Sequence, residues 1–468
     1  MYPLKDKTAL VIGLGVSGRA ACELLRRKGS RVIGVDHADS EALRRETKSL
    51  QDKGIKIRLG LTQPPTETID LAVISPGVPP RQPLIEHLTQ QGIPVIGELE
   101  LGYQNSLCLN VAVTGTNGKT TTTGLINSIL SQNQIKTLLA GSNGLPICAV
   151  AEKTKELDFL VLEVNSFQLE TTKFFRPAVA VMLNITPDHM NRYGEMANYV
   201  KTKAQIFANQ QAFDWAIIQS EVLAHLQMMR VAIPSKVITF SAYNRRADIF
   251  LDRGLILSRM EGWTGHLLNT DRCQLRGPHN AENIMAALAV GRVLRVPLDA
   301  MLEPIQTFTA PPHRCELVTE IKGVKFINDA KSTNLDALHK ALLSLPTAFG
   351  GEANVWLIAG GVEKGADYHD VGPLLSQRVK GAFLLGEARD RLRAAWSLFT
   401  PCTQVDSLLE AVQEAARNAK SGDIVLLSPA CSSLDQFKNY QHRGEVFRQA
   451  VQALARTASE TPPTDNPG

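Results

Sequence analysis

Residues 111–122 read VAVTGTNGKTTT, which combines an apolar run, a turn with two glycines and a Lys-Thr pair. The apolar run predicts a buried strand and the residues after Gly118 predict a helix, so the turn joins these two elements. Glycines let the backbone approach phosphate oxygens, and the amides of a first helical turn attract anions. The stretch therefore predicts a phosphate-binding loop, although Val113 stands where the usual loop pattern has glycine. The alternative is a turn that only joins a strand to a helix.

The side chains of this loop favour ATP as its ligand. Lys119 would bring a compact cation to the β- and γ-phosphates, and the hydroxyl of Thr120 could bind Mg²⁺. The predicted ATP contacts in the loop are Gly115, Thr116, Asn117, Gly118, Lys119, Thr120 and Thr121.

Composition and charge exclude several classes of protein. The 468 residues carry a formal net charge of +4 without a block of Lys or Arg, which argues against a nucleic-acid partner. The seven cysteines are scattered and contain no CxxC pair, which favours reduced thiols over disulfides or a zinc site. No stretch approaches the roughly 18 apolar residues of a membrane span, and the start lacks a signal-peptide pattern. We therefore expect a soluble, cytoplasmic protein that does not use a membrane.

A second nucleotide-binding pattern lies at the start of the chain. A predicted strand at residues 8–12 runs into GLGVSG at 13–18, and the next strand ends at Asp36. This is the GxGxxG arrangement of dinucleotide-binding folds, with an acidic residue after the second strand. A later strand ends in Ser75-Pro76-Gly77, at the sheet edge where open α/β sheets bind ligands. The pattern predicts a nucleotide or diphosphate site, and the alternative is a purely structural tight turn.

The chain as a whole divides into three α/β units. Continuous apolar runs in the second unit are typical of buried parallel strands, and alternating strands and helices in the third imply another doubly wound sheet. The predicted fold is α/β with three domains: a Rossmann-like N-terminal domain, a central P-loop ATPase domain with a mostly parallel sheet, and a C-terminal Rossmann-like domain. Their predicted boundaries are 1–101, 102–309 and 310–456, followed by a Pro- and Thr-rich tail, 457–468, that is predicted to be disordered.

Two polar segments follow apolar strands of the central unit. Glu163 ends one such strand, where a charge is costly unless it is paired or binds a metal. His189 lies in the loop NITPDHMNRY, which follows the next strand. Together with Thr120 these residues would suit Mg²⁺. Taken singly, Glu163 could be a paired core carboxylate and His189 a structural loop residue.

The third unit has two comparable segments. Arg314 follows its Pro-containing start, and Asp329 and Lys331 follow a strand, so these three could reach ATP from the other side of a cleft. The last segment, SPACSSLDQFKNYQHR at 428–443, mixes hydroxyl side chains with Lys438 and Arg443. It could recognise a small substrate with a carboxylate through guanidinium contacts, or it could be a solvated loop.

With these segments, the chain resembles the Mur ligase family, and the resemblance extends over essentially its whole length. The motifs GLGVSG, GTNGKTTT, HNAENIMAA, PPHRCE and NDAKSTN carry the resemblance. The segments 163–170, 184–193 and 428–447 most resemble the family member that adds D-glutamate to UDP-N-acetylmuramoyl-L-alanine. The resemblance implies domains for the UDP substrate, ATP and the amino acid. It also implies a peptidoglycan-precursor reaction in which ATP phosphorylates a carboxylate and the amino group of D-glutamate attacks the acyl phosphate.

The resemblance further implies functions for individual residues, all numbered in this sequence. The implied catalytic residues are Lys119, Glu163, His189 and Lys203. The implied metal ligands are Thr120, Glu163, His189 and Lys203, the last as a carbamate. Further implied ATP contacts are Asn280, Arg314, Asp329 and Lys331. The implied contacts of the UDP substrate are Gly15, Val16, Ser17, Asp36, Ser75, Pro76, Gly77, Ser142 and Asn143. Those of D-glutamate are Lys331, Thr333, Ser433, Leu434 and Tyr440.

Three of these implications leave an alternative open. A lysine ammonium has no lone pair for a metal, so Lys203 would need CO₂ to become a carbamate, and without the resemblance it reads as an exposed helical lysine. The family often has an acidic residue where Val362 stands, which leaves it open whether this chain makes the polar contact of that residue. The order Gly141-Ser142-Asn143-Gly144 leaves it open whether Ser142 or Asn143 contacts the substrate.

Other functions compete with this prediction. A sister ligase of the family would add a different amino acid. Residues 13–18 and Asp36 alone would also suit a nicotinamide-dependent oxidoreductase, against which the ATP loop argues. A non-catalytic nucleotide-binding regulator with a ligase-like fold would not need Lys119, Glu163, His189 and Lys203 together. We expect small-molecule substrates, ATP and Mg²⁺ as the cofactors, and a monomer.

Overall fold

A computed structural model describes residues 2–61 and 65–460 of the protein. The chain forms two compact units. The first contains the residues up to Ile185 together with Ala197–Phe308, and the second contains Thr186–Met196 and the residues from Thr309 onward.

In the described residues, the first sheet has five parallel strands in the order β3-β2-β1-β4-β5, as in nucleotide-binding Rossmann folds. The continuous apolar runs of its two central strands are buried on both faces. Its strands are β1 (Thr8–Ile12), β2 (Arg31–Asp36), β3 (Lys56–Leu59), β4 (Leu71–Ile74) and β5 (Val95–Gly97). Its helices are α1 (Val16–Arg27), α2 (Glu41–Asp52), α3 (Pro83–Gln90) and α4 (Glu98–Gln104).

The central sheet follows, with its strands in the order β14-β13-β12-β11-β10-β9-β6-β8-β7. Its strands are β6 (Leu109–Thr114), β7 (Thr137–Gly141), β8 (Phe159–Glu163), β9 (Val179–Met182), β10 (Trp215–Gln219), β11 (Lys236–Ser241), β12 (Ile249–Asp252), β13 (Leu255–Ser258) and β14 (Gly265–Asn269). The helices of this part of the chain are α5 (Lys119–Gln132), α6 (Ile147–Val150), α7 (Ser166–Leu169), α8 (Met190–Tyr193), α9 (Met196–Ala204), α10 (Ser220–Met228), α11 (Pro278–Val293) and α12 (Leu298–Thr307). Strands β6 to β12 pair in parallel, and β13 and β14 add an antiparallel extension. Helix α8 belongs to the second unit.

The third sheet forms the core of the second unit, in the order β15-β16-β20-β17-β18-β19. Its strands are β15 (Glu316–Ile321), β16 (Val324–Asn328), β17 (Val355–Gly360), β18 (Val379–Leu385), β19 (Cys402–Gln404) and β20 (Ile424–Leu427), and its helices are α13 (Leu335–Ser344), α14 (Gly372–Arg378), α15 (Arg389–Trp396), α16 (Leu408–Asn418) and α17 (Tyr440–Glu460). Strand β15 is antiparallel to β16 and the other pairs are parallel. Because β16, β20 and β17 are neighbours, the loops at their carboxyl ends lie side by side.

The predicted α/β fold with three sheets, mostly parallel, is confirmed. Helix α17 extends to Glu460, four residues into the segment predicted to be disordered, and residues 461–468 of that predicted tail lie outside the described residues. Within residues 2–61 and 65–460, no helix combines the length and the apolar character needed to cross a bilayer.

Helix α4 carries a carboxylate buried inside the first unit. Glu98 is fully buried, and its Oε1 accepts a hydrogen bond from the backbone N–H of Cys148 at 2.7 Å. Its Oε2 is buried and has no hydrogen-bond partner in the described chain. Burial raises the pKa of Glu98 from 4.5 to about 7, against the effect of the hydrogen bonds from Cys148. The folded protein therefore favours the neutral carboxyl group at this position.

The Glu98→Gln variant is expected to become more stable, relative to the parent protein, as the pH rises. The pKa of Glu98 is higher in the folded state than in the unfolded state. The contribution of its neutral form to the stability of the parent protein is therefore fully present below pH 4.5 and is lost as the pH rises toward about 7. This pKa shift corresponds to about 3 kcal/mol of the free energy of unfolding. The parent protein loses it as Glu98 ionises, whereas the glutamine variant does not ionise and keeps it. Urea unfolding at about pH 5 and about pH 8 measures the difference. Parallel pH profiles of the two proteins would contradict the prediction.

A matched control lies on the same helix. Glu100 accepts backbone N–H groups of Lys173, Phe174 and Phe175 at 2.9–3.1 Å. We expect Glu100→Gln to destabilise the protein at about pH 8, by about 1–3 kcal/mol. The NH₂ group of glutamine would replace a carboxylate oxygen and could not accept hydrogen bonds from these backbone N–H groups. The opposite signs of the two variants separate an unsatisfied carboxylate from a satisfied one.

Candidate functional site

The phosphate loop connects β6 to α5 at the carboxyl end of the central sheet. Strand β6 lies between β8 and β9, so the loop begins at an interior strand of the sheet. Gly118 is the N-cap of α5 with a φ of 88°, in the left-handed region. A Cβ atom there would lie 2.3 Å from Oδ1 of Asn283, so both conformation and space require glycine. The loop thus approaches α11 closely and directs the start of α5 toward any bound anion.

Asn184 holds the loop in place. Its backbone carbonyl accepts the N–H of Thr116 at 2.8 Å, and its side chain both accepts from the N–H of Asn117 (2.9 Å) and donates to the Asn117 carbonyl (3.0 Å). The ammonium of Lys119 donates to the carbonyls of Gly115 (3.0 Å) and Thr116 (2.9 Å). Lys119 is therefore bound to neutral acceptors that a phosphate oxygen can replace. The sequence prediction missed the contribution of Asn184, which only its position after β9 could have suggested.

Glu163, Ser142, Asn143 and Thr120 form a polar cluster beside this loop. Oγ of Ser142 donates to Oε1 of Glu163 at 3.0 Å, and Nδ2 of Asn143 donates to Oγ1 of Thr120 at 3.3 Å. Glu163 is buried, and its Oε2 has no hydrogen-bond partner among the described residues. The structure thus brings Thr120 and Glu163, both predicted metal ligands, into one cluster with Ser142 and Asn143. Thr121 differs from the rest of the loop, because its hydroxyl is buried within α5.

Lys203 is buried and contacts the phosphate loop. Only 1% of its surface is exposed, whereas Lys201, on the same helix α9, is exposed. Nζ of Lys203 donates to the Gly115 carbonyl at 2.9 Å and lies 4.8 Å from the centre of the Tyr199 ring. The hydroxyl of Tyr199 is in turn 3.3 Å from Oγ1 of Thr116. The alternative interpretation of Lys203 as an exposed helical lysine is wrong.

Asn280 approaches the loop through a second asparagine. Nδ2 of Asn283 donates to Oδ1 of Asn280 at 3.1 Å, and Oδ1 of Asn283 accepts from the hydroxyl of Thr122 on α5 at 3.1 Å. Asn283 links the start of α11 to the helix that follows the phosphate loop. The sequence prediction named Asn280 but missed Asn283, which the spacing of three residues on one helix face could have indicated.

The turn between β1 and α1 is as tight as the GxGxxG pattern predicts. A Cβ atom on Gly18 would lie 1.8 Å from the carbonyl oxygen of Gly13, so only glycine lets α1 pack on the turn. Gly15 is the N-cap of α1 and has open space around its Cα. Val16 is 63% exposed in the first turn, and Ser17 is half-buried.

Asp36 and Ser75 line the same turn. Oδ2 of Asp36 accepts the backbone N–H of Leu14 at 2.7 Å, and its Oδ1 accepts that of Ala38 at 2.9 Å. The carboxylate therefore holds the turn in place. The hydroxyl of Ser75 is buried and has no hydrogen-bond partner in the described part of the chain, and Pro76 and Gly77 follow it at the surface. Gly15, Ser17, Asp36 and Ser75 thus surround the start of α1.

In the second unit, Asp329 joins the end of β16 to the segment that carries Arg314. Its Oδ2 accepts from the hydroxyl of Ser428 at 2.8 Å, and its Oδ1 accepts the N–H of Cys315 at 3.2 Å. Burial raises the pKa of Asp329 to about 6, although these hydrogen bonds and Arg314 oppose the rise. Nε of Arg314 is buried without a hydrogen-bond partner among the described residues. His313 and Cys315 on either side have φ values of 66° and 45°, so the segment is held in a strained conformation.

Lys364, which the sequence prediction did not assign to a site, lies in a cluster of predicted site residues. Its Nζ is 3.2 Å from Oδ1 of Asp188 and 3.5 Å from Oγ1 of Thr333. Oδ2 of Asp188 accepts from Nδ2 of Asn334 at 3.2 Å and lies 3.5 Å from Nε2 of His189. Burial alone would raise the pKa of Asp188, but Lys364 and His189 hold it below its usual value. Asp188 thus keeps its charge and fixes Lys364 beside Thr333.

Lys331 and Ser433 lie in the loops after β16 and β20. Nζ of Lys331 is 3.4 Å from the hydroxyl of Tyr440 and 5.0 Å from the centre of its ring. Ser433 is buried, whereas Leu434 next to it is 70% exposed. Lys331, Thr333, Ser433 and Tyr440 therefore lie in the neighbouring loops at one end of the third sheet.

The departure at Val362 leaves the backbone of this region intact. Val362 and Ser432 exchange two backbone hydrogen bonds of 2.9 Å, which join the loop after β17 to the loop after β20. Any side chain at position 362 could support this pair, so the acidic residue common in the family is not needed for it.

Three models of known domains match this chain. Residues 7–97 match the Mur ligase MurD-like N-terminal domain, residues 113–291 the Mur ligase middle domain, and residues 313–431 the Mur ligase glutamate ligase domain. The chain is 40% identical to the UDP-N-acetylmuramoylalanine--D-glutamate ligase of Acidobacterium capsulatum over 96% of this chain and 97% of that protein. It is also 40% identical to the ligase of the same name from Pelotomaculum thermopropionicum, over 97% of this chain and 100% of that protein.

Solved structures agree on the fold. The UDP-N-acetylmuramate-alanine ligase MurC of Thermotoga maritima is 18% identical, with a TM-score of 0.60 over 96% of this chain and 100% of that one. The MurF ligase of Thermotoga maritima in complex with ADP is 17% identical, with a TM-score of 0.59 over 96% of each chain. Identities this low support the fold alone, whereas relatives at 40% identity over nearly the whole length establish the family. The resemblance that the motifs indicated is confirmed, and this protein belongs to the Mur ligase family.

Proposed function

We propose that the protein is an ATP-dependent ligase that joins D-glutamate to UDP-N-acetylmuramoyl-L-alanine in the synthesis of peptidoglycan precursors. The observation that carries the proposal is the phosphate loop, which leads into the start of α5 and whose Gly115 carbonyl accepts hydrogen bonds from both Lys119 and the buried Lys203. The substrates are those in the name of the two ligases that are 40% identical to this chain over nearly its whole length.

The chemistry follows from the weakness of a carboxylate as an electrophile. ATP would transfer its γ-phosphoryl group to the carboxylate of the UDP-linked substrate, giving ADP and an acyl phosphate. The amine of D-glutamate would then attack the acyl carbon, and the tetrahedral intermediate would expel phosphate to leave the amide. Phosphoryl transfer is catalysed chiefly by positioning and by neutralising charge. Lys119 would exchange its two carbonyl partners for phosphate oxygens and hold the transferring group.

The residues around Glu163 fit Mg²⁺. Oε2 of Glu163 is a buried carboxylate oxygen without a hydrogen-bond partner in the described chain, and the Thr120 hydroxyl belongs to the same cluster. Residues 2–61 and 65–460 contain no group of three or more His, Cys, Asp or Glu side chains arranged to hold a metal. Mg²⁺ needs no such cage, since it uses one or two carboxylates with phosphate oxygens and water. When bound, it would neutralise negative charge on the transferring phosphoryl group.

The other assigned ligands and ATP contacts remain part of the proposal. We assign His189 and carbamylated Lys203 as further Mg²⁺ ligands, and Arg314, Asp329 and Lys331 as further contacts of the nucleotide. The buried Nε of Arg314 supports an anionic ligand there, because a charged donor without an acceptor is costly.

A dicarboxylate amino acid suits the loops of the third sheet. Lys331 beside Tyr440 offers one cation, and Lys364 beside Thr333 offers a second, with the Ser433 hydroxyl in the third loop. Two separated cations match the two carboxylates of D-glutamate. We add Lys364 to the predicted contacts, because Asp188 fixes its position while leaving the lysine able to bind an anion.

The purified protein is expected to form product from ATP, Mg²⁺ and UDP-N-acetylmuramoyl-L-alanine only when D-glutamate is supplied. D-alanine lacks the side-chain carboxylate and would leave the hydrogen-bond donors for that group unpaired. The enzyme should therefore use D-alanine much less well than D-glutamate. A panel containing D-glutamate, L-glutamate, D-alanine, L-lysine and diaminopimelate, scored by the mass of the product, tests this. Product with a different amino acid would make the protein a sister ligase, and turnover of NAD(H) without ATP would refute the ligase.

A further inference from the structure

Arg443 is a buried arginine in the first turn of α17. Only 2% of its surface is exposed, and its guanidinium donates to three backbone carbonyls. Nη1 donates to Gly360 at 3.3 Å, and Nη2 donates to Ala330 at 3.0 Å and to Cys431 at 3.1 Å. The alternative interpretation of this position as part of a solvated loop is therefore wrong. Nη1 and Nη2 face the backbone, and Nε is buried without a hydrogen-bond partner among the described residues.

The three carbonyls belong to three different segments of the candidate site. Ala330 follows β16, Gly360 is the last residue of β17, and Cys431 follows β20. These strands are neighbours in the sheet, and each of the three segments carries at least one proposed contact of the amino acid. Those contacts are Lys331 next to Ala330, Lys364 after Gly360, and Ser433 after Cys431.

A guanidinium is the side chain that can make this set of contacts. Its planar fork presents five N–H donors in fixed directions, whereas a lysine ammonium is a compact point charge on a flexible stem. Burial lowers the pKa of Arg443 to about 10, so the group is still charged at neutral pH. Within the described chain, no carboxylate accepts a hydrogen bond from it. The charges of Asp435 and Asp329 offset only part of the cost of burial. The remaining cost is understandable if the charge orders the loops around an anionic ligand.

We propose that Arg443 is a positioning residue for the amino-acid substrate: by joining the three loops, it sets the separation of the side chains that bind the two carboxylates. The proposal rests on the proposed function, because it takes a dicarboxylate as the substrate. Arg443 does not contact the substrate itself. It acts through Lys331, Lys364 and Ser433.

The alternative is that Arg443 only stabilises the second unit. The two cases differ in what a substitution changes. Loss of stability alone lowers the amount of active enzyme and leaves the KM values and the choice of substrate unchanged. Loss of positioning raises the KM for the amino acid. It also weakens the discrimination between dicarboxylate amino acids with longer and shorter side chains, because the carboxylate-binding groups are no longer held at one distance.

The Arg443→Lys variant tests the proposal in the full-length enzyme. We expect the KM for D-glutamate to rise about tenfold or more, while the KM for UDP-N-acetylmuramoyl-L-alanine stays within about twofold. The ratio of kcat/KM for D-glutamate over D-aspartate is expected to fall about fivefold or more. Arg448→Lys is the matched control, because Arg448 lies on the same helix and pairs with Glu316 (2.8 Å) and Glu445 (3.3 Å). It should leave both quantities unchanged.

A second variant covers the case in which Arg443→Lys does not fold. Arg443→Ala removes the fork, and millimolar guanidinium should restore the KM for D-glutamate by occupying the same position. The readout is the KM, which a loss of stability alone leaves unchanged, so a KM restored by guanidinium reports on positioning. Unchanged KM values and an unchanged D-aspartate ratio in a folded variant would overturn the proposal, as would the absence of rescue. Failure of the proposed function itself would be visible separately, because the unmodified protein would then not use D-glutamate.

Discussion

Replacing Lys119 by alanine is expected to lower kcat by about a thousandfold or more while leaving the binding of the UDP substrate nearly unchanged. In the free protein the ammonium donates to the carbonyls of Gly115 and Thr116. These hydrogen bonds hold the cation in the phosphate loop, next to the start of α5. Those partners are neutral, and the developing charge on a transferring phosphoryl group is a far stronger acceptor. Removing the cation therefore costs more in the transition state than in the ground state, which lowers kcat.

Two measurements check this prediction. Release of ADP in the complete reaction gives kcat, and calorimetry with UDP-N-acetylmuramoyl-L-alanine gives the affinity, which we assign to the first sheet. Lys136→Ala is the matched control, because Lys136 is exposed just after the other end of α5. Near-normal turnover of Lys119→Ala would remove the loop from the mechanism. Equal loss in the Lys136 variant would show a general effect of charge.

The sequence predicted the parts of the site that short-range patterns determine. The apolar residues 111–113 lie in a buried part of β6, and Gly118 ends the turn that was predicted to join this strand to a helix. The same holds for the turn at Gly13 and Gly18, whose close approach depends on missing side chains. In these cases the cause lies within a few residues of the effect, so the pattern is sufficient.

The contacts that the sequence prediction missed are long-range. Lys364 and Asp188 are 176 residues apart in the sequence, and Asn184 is 67 residues from the loop it holds. No local pattern contains such a pair. Arg443 shows the same limit more sharply, because its three partners are backbone carbonyls, which are present in every sequence. A charged residue in a polar segment is usually solvated, and only the packing of α17 against the sheet shows that this one is buried.

Lys203→Ala is expected to lose most activity, with kcat lower by about a hundredfold or more, and to regain part of it when acetate or formate is added. The family resemblance implies that this lysine reacts with CO₂ to form a carbamate, and the prediction rests on that resemblance. Nζ is buried, bonded to the Gly115 carbonyl of the phosphate loop, and close to the ring of Tyr199. A carbamate would replace a buried cation by two acceptor oxygens, which suit Mg²⁺ and its bound water.

The matched control and a direct readout separate this from a structural effect. Lys201→Ala removes an exposed lysine from the same helix and should keep full activity. Carbon-13-labelled CO₂ should give a carbamate resonance in the unmodified protein that disappears in Lys203→Ala and remains in Lys201→Ala. A small carboxylate can enter the space left by the shortened side chain and supply oxygens there, whereas it cannot repair a packing defect. Full activity of Lys203→Ala without any added carboxylate would exclude the carbamate from the mechanism, because nothing else in the variant could take its place.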